Sequence, residues 1–124
     1  MFRLSSLVLI ISTLLFLGCR EKEIIIELIN GSDFILENIS VEIMDKTKRT
    51  NPINLSPKET GIITLDFSNI PQMDGHYMIK FRQNEKVVSK EFGYFTNGQP
   101  MEDKWQLTIG EDTIVFSSTM DNSY

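Results

Sequence analysis

Cysteine is almost missing from this sequence: there is one in 124 residues, at position 19. A single cysteine closes no internal disulfide, so a bridge-stapled fold is excluded and the thiol is either inert or chemically used. Histidine is as scarce, with His76 alone. Zinc sites call for several Cys or His ligands, and any Ser-His-Asp or Cys-His arrangement would have to be built on that one residue. No Gly-x-Ser-x-Gly elbow occurs either. Basic residues are the minority, 12 Lys and Arg against 17 Asp and Glu, for a formal charge of −5. Phosphate backbones are held by clustered cations, so no nucleic-acid partner is expected. No stretch keeps a helical period, and there is no internal repeat. The one long apolar run, Leu4–Leu17, is shorter than the roughly 20 residues a spanning helix needs.

That run is nevertheless the most specific feature present. Arg3 precedes it, Ser5, Ser6, Ser12 and Thr13 are its only interruptions, and it ends in Phe16-Leu17-Gly18-Cys19. A positive start followed by 7–15 apolar residues is the pattern of a secretory leader. A small residue before the cysteine gives a membrane-embedded peptidase access to the scissile bond, and the thiol can accept a diacylglycerol. This ending resembles the lipobox of bacterial lipoproteins. It matches at Gly18 and Cys19 and departs at Phe16, where Leu is usual, and at Leu17, where Ala or Ser is commoner. The resemblance implies removal of residues 1–18, lipidation of Cys19 and a protein held in the bacterial cell envelope. Buried methylenes contribute about 0.8 kcal/mol each, so two or three acyl chains make such an anchor durable. Arg20, not Asp, follows the cysteine. For a Gram-negative cell that implies the outer membrane.

Residues 19–22 then form a short tether and residues 23–117 one domain, with a polar tail over 118–124. Ile24-Ile25-Ile26 opens a β-branched first strand. Ile39, Val41 and Ile43 alternate with Ser40 and Glu42, the pattern of a half-buried strand. Short strands follow over Pro52–Leu55 and Thr60–Phe67. Tyr77, Ile79 and Phe81 alternate with His76, Met78, Lys80 and Arg82, and Gln83–Lys86 turns the chain into Val87–Phe95. Trp105, Leu107 and Ile109 lead through Gly110–Asp112 into Thr113–Ser117. Seven or eight short strands at this spacing predict an all-β fold, an antiparallel β-sandwich. Gly75-His76-Tyr77-Met78-Ile79-Lys80-Phe81 resembles the Gly-x-Tyr strand of prealbumin-like and other immunoglobulin-like sandwiches, which implies an immunoglobulin-like fold but no particular function.

Ser56-Pro57-Lys58-Glu59 has the spacing of a capping box, but the β-branched residues after it predict a turn. Asp33, Asp66, Asp74, Glu102 and Asp103 lack the spacing of a calcium loop and read as solvated charge. No cofactor and no metal are expected. The most distinctive stretch is Phe92-Gly93-Tyr94-Phe95-Thr96-Asn97-Gly98. Its aromatics read as core at Phe92 and Tyr94, with a bulge at Gly93 and Phe95 pointing opposite to them. Phe95, Trp105 and Met101 are therefore the candidates for a partly exposed binding surface.

The sequence supports a non-enzymatic binding or accessory lipoprotein above all, with a protein or envelope-glycan partner. A small envelope enzyme acting on glycan or peptide, and an immunity- or inhibitor-type lipoprotein, are the alternatives. If strands simply alternate in direction, Asn30–Asp33, Ser56–Glu59, Gln83–Lys86 and Gly110–Asp112 share the end far from the anchor. Ser68–Gly75 and Thr96–Asp103 share the near end, which is expected to be the sticky one because it carries Met73, Phe95, Met101 and Trp105.

Overall fold

Nine strands account for the architecture: β1 (Glu23–Asn30), β2 (Leu36–Ile43), β3 (Ile53–Leu55), β4 (Thr60–Asp66), β5 (Gly75–Gln83), β6 (Lys86–Thr96), β7 (Gln99–Pro100), β8 (Lys104–Ile109) and β9 (Ile114–Thr119). They come from a computed structural model that describes residues 23–43 and 48–119. Residues 1–22, with Cys19 and the expected leader and tether, and residues 120–124 lie outside the described residues. One sheet runs β4-β1-β8-β9 and the other β3-β2-β5-β6-β7.

Period-2 alternation explains how the two sheets meet. Ile24, Ile26 and Leu28 of β1, Tyr77, Ile79 and Phe81 of β5, and Leu107 and Ile109 of β8 all point into one shared core. Full burial of such a side chain stabilises the fold by about 1.5–3 kcal/mol. The result is all-β and sandwich-like. It departs from the expected all-antiparallel arrangement, because β1 lies between β4, antiparallel to it, and β8, parallel to it. β1 and β8 both run away from the end where the domain begins, and side-by-side placement makes them a parallel pair.

Three further differences have local causes. The expected count of seven or eight strands omits β7, which sits inside the Thr96–Asp103 connection. Asn97 and Gly98 both take positive φ, 52° and 68°, a tight turn that pairs Thr96 with Gln99 and Phe95 with Pro100. β9 continues through Ser118 to Thr119, two residues into the expected tail. On β2, the expected outward face is covered: Ser40 and Glu42 are both buried, and Glu42 is ion-paired with Lys80 of the neighbouring β5.

The two ends sort as alternation of direction requires. At the far end, Gly31 N–H donates to Ile109 O at 2.8 Å and Lys58 N–H to Asn30 O at 2.9 Å. Ser56–Glu59 is the turn expected there, closed by Glu59 N–H to Ser56 O at 3.0 Å. At the near end, Gly98 N–H donates to Met73 O at 2.8 Å and Asp103 N–H to Thr119 O at 3.1 Å.

Candidate functional site

The near end does not present the surface its composition suggested. Phe95 is fully buried, 0% exposed, and Trp105 nearly so at 8%. Trp105 shares the inward face of β8 with Leu107 and Ile109; for Phe95 the cause is a bulge in β6, where Phe95 pairs with Gly75 but Phe92 with Tyr77, so three residue steps on β6 oppose two on β5. The extra residue resets the alternation. Phe92 and Phe95 both turn inward, while Tyr94, expected in the core, is 46% exposed. Gly93 makes this bulge with φ +67°, and a Cβ there would come within 2.7 Å of the Tyr77 ring and 2.9 Å of Trp105. Phe95 packs against Phe67 at 5.5 Å and Tyr77 at 5.7 Å, and Trp105 meets Phe92 edge-on at 5.3 Å. Phe95 and Trp105 are thus core residues. Of the three candidates only Met101 is exposed, at 47%.

A polar group is folded into this aromatic cluster. Tyr77 Oη, Trp105 Nε1 and one oxygen of Glu102 are all buried without a well-aligned hydrogen bond among the described residues. Burial holds the Glu102 carboxyl above its ordinary range, with the Trp105 indole N–H beside it pulling the other way. Burial, and after it the Glu102 charge, pushes the Tyr77 phenol up as well.

The concave site is at the opposite end. A cavity of about 340 Å³ opens between the β5–β6 and β8–β9 hairpins, at the small end of the roughly 300–1,000 Å³ usual for ligand pockets. Phe34, Phe81, Val88 and Ile114 give it apolar walls, and Lys86, Lys90, Glu111 and Asp112 supply charge. None of these four charges forms an ion pair with another described residue.

The frame around this cleft is set by two buried amides. Asn30, wholly inaccessible, donates through Nδ2 to Phe34 O at 2.8 Å, Ser56 O at 3.1 Å and Leu55 O at 3.2 Å. Its Oδ1 accepts from Ser32 Oγ at 2.7 Å and Ser32 N–H at 3.0 Å. One side chain therefore satisfies the backbone of two loops and fixes Phe34 at the cleft wall. Gln83 Nε2 donates to Gly110 O at 2.9 Å, tying the tip of one hairpin to the turn of the other. Asn84 and Glu85 both take positive φ, 49° and 65°, the tight turn that sends Lys86, Val88 and Lys90 back along the inner face.

Chemically, such a site offers apolar contact with charges of both signs at its margin. His76 is elsewhere, at the start of β5, its Nε2 3.3 Å from Glu91 Oε1. Among the described residues no group of three or more His, Cys, Asp or Glu is placed to hold a metal ion. The chain matches no protein-family model and no curated protein.

Sequence reasoning passed over the cleft because each of its loops is polar on its own. One signal was available. In Val88-Ser89-Lys90-Glu91-Phe92 the alternation that turns Val88 and Phe92 inward also turns Lys90 inward, and a charge on a core-facing position marks an opening in the core.

Proposed function

We propose that the chain is a membrane-anchored envelope lipoprotein whose β-domain is a non-enzymatic binding module, with the far-end cleft as its binding site. Support for the anchor comes from Phe16-Leu17-Gly18-Cys19 after its apolar run. An immunoglobulin-like kinship belongs to the same proposal and rests on Gly75–Phe81, whose Tyr77 lies in the middle of the aromatic core.

The observation that carries the reading is the direction of β1. It begins at Glu23 and delivers Asn30, the residue that frames the cleft, at the other end of the domain. Only Arg20–Lys22 separate Cys19 from that strand, a reach of about 10 Å at 3.3–3.6 Å per residue. Eight strand residues then carry the chain about 25 Å outward. A lipid on Cys19 holds the near end at the bilayer and turns the cleft toward whatever lies beyond it.

Two measurements test this reading. Metabolic labelling with a palmitate analogue should mark the wild-type chain and leave Cys19→Ser unlabelled and released from membranes; persistent labelling of the variant would show that the anchor is misread. Hydrolysis of peptidoglycan or peptides by the purified protein, lost in His76→Ala, would overturn the non-enzymatic part.

A further inference from the structure

The two sheets do not close on each other equally at their two sides. On one side β3 and β4 are sealed together: a Cβ on Gly61 of β4 would come within 2.9 Å of Leu55 and 3.2 Å of Ile53. On the other side lie β6 and β9: Phe92 and Phe116 stack across them at 5.3 Å, and beyond that contact, toward the far end, the cleft opens between them. β6 is a guarded edge. It carries Lys86, Lys90 and Glu91, a bulge, and the short β7 paired at its end. β9 has none of these guards. Its sequence, Ile-Val-Phe-Ser-Ser-Thr, holds no charge and no proline, its pairing with β8 is free of bulges, and among the described residues no strand lies beyond it. Exposed edges are ordinarily blunted by such devices, and an edge without them is a template for another strand.

We propose that β9 is a docking edge that binds an extended peptide segment of a partner protein by strand addition, with one inward-facing side chain of that segment directed to Lys90. The deciding chemistry is that of the free ladder. Thr113 O accepts from Gly110 N–H at 2.8 Å and Thr119 O from Asp103 N–H at 3.1 Å, so the odd-numbered residues of β9 face β8. Alternation then leaves the N–H and C=O of Ile114, Phe116 and Ser118 directed to the open edge. Only an extended backbone presents donors and acceptors at that spacing, which selects a peptide over a glycan or a compact small molecule. Alternate side chains of the added strand enter the seam between the sheets, where Ile114 and Val88 take apolar groups and Lys90 takes a carboxylate.

A second copy of the chain is the other candidate occupant. Two-fold pairing of β9 with itself is antiparallel and would add a strand, Ile-Val-Phe-Ser-Ser-Thr, that carries no carboxylate to meet Lys90, so a separate acidic segment is favoured. The proposal deepens the binding-module reading by naming its partner, and it does not depend on the lipid anchor.

The test uses the full chain in detergent and a pool of capped heptapeptides alternating valine and threonine, with one glutamate moved through successive positions. Amide exchange followed by NMR should slow about tenfold at Ile114, Phe116 and Ser118 in the presence of the pool. Ser118→Pro removes a donor at the open edge, where a strand tolerates proline, and should abolish the slowing with the melting midpoint unchanged. Lys90→Glu, on an exposed side chain, should weaken binding about fivefold, the loss of roughly 1 kcal/mol expected for an exposed ion pair. Absence of slowing, or slowing along β6 instead, overturns the proposal. Slowing at the same three amides without peptide, rising with protein concentration, overturns it in favour of a second copy. A peptide that perturbs Phe34 and Val88 without protecting β9 overturns strand addition while leaving the cleft as a binding site.

Discussion

The two ends of the domain invert what their compositions suggest. The near end is rich in Phe, Trp and Met, yet its Phe and Trp rings are sequestered: Phe95 and Trp105 join Phe67, Tyr77 and Phe92 in one buried cluster. The far end is built from polar turns, yet those turns enclose a cleft walled by Phe34, Phe81, Val88 and Ile114. Exposure of a side chain is a property of the strand face it occupies. One bulge, at Gly93, decides it for Tyr94 and Phe95 at the near end; one buried amide, Asn30, fixes Phe34 at the far end.

The sharpest way to break this comparison is to treat neighbours on the bulge differently. Phe95→Ala should cost about 3–5 kcal/mol of unfolding free energy by urea titration, as for other buried aromatics. Tyr94→Ala, one residue away and half exposed, should cost less than about 1 kcal/mol. Equal losses would mean that the bulge does not set the two faces apart.

A smaller effect is expected at the far end. Asn30→Ala strips hydrogen bonds from the backbone oxygens of Phe34, Leu55 and Ser56 and leaves part of that backbone buried without partners. The cost should be about 2–3 kcal/mol. Exchange should quicken at Phe34 and Ser32 before the near end is affected; uniform quickening would deny the amide its local framing role.

The smallest effect concerns Glu102. Its carboxyl is held above the ordinary range by burial, so between pH values near its unfolded pKa and its raised folded pKa the folded protein binds the proton more strongly than the unfolded one. Stability from the neutral form is therefore present at low pH and declines as pH rises through the raised value. Glu102→Gln should stabilise the fold at pH 7.5 by under about 1 kcal/mol, read as a higher melting midpoint, and the difference from wild type should vanish below about pH 4, close to the reference carboxyl pKa. A gain that persists at low pH would point to packing instead of charge.

Much of the strand plan was legible in the residues. The β-branched run at Ile24–Ile26, the Tyr77-Ile79-Phe81 alternation and the Gln83–Lys86 turn each state their structure locally, because period and turn chemistry are short-range properties. Direction followed from them, since successive strands joined by short turns alternate, and so the sorting of loops to two ends was also determined by sequence. Strand neighbours were not. The parallel placement of β1 beside β8 joins residues some eighty positions apart, and no local pattern encodes it. The candidate surface failed at Phe95 for the same kind of reason, whereas Trp105 is buried by the plain alternation it shares with Leu107 and Ile109 on β8. A bulge moves one residue out of register, and every inference based on alternation downstream of it reverses. Sequence thus determined most of the strands and their directions, and it carries the lipobox-like stretch Phe16–Cys19. Only tertiary structure decided that Phe95 is buried and Tyr94 exposed, that a cleft opens between β6 and β9 at the far end, and that polar loops frame its apolar walls, because each of these depends on long-range pairing between segments that carry no information about one another.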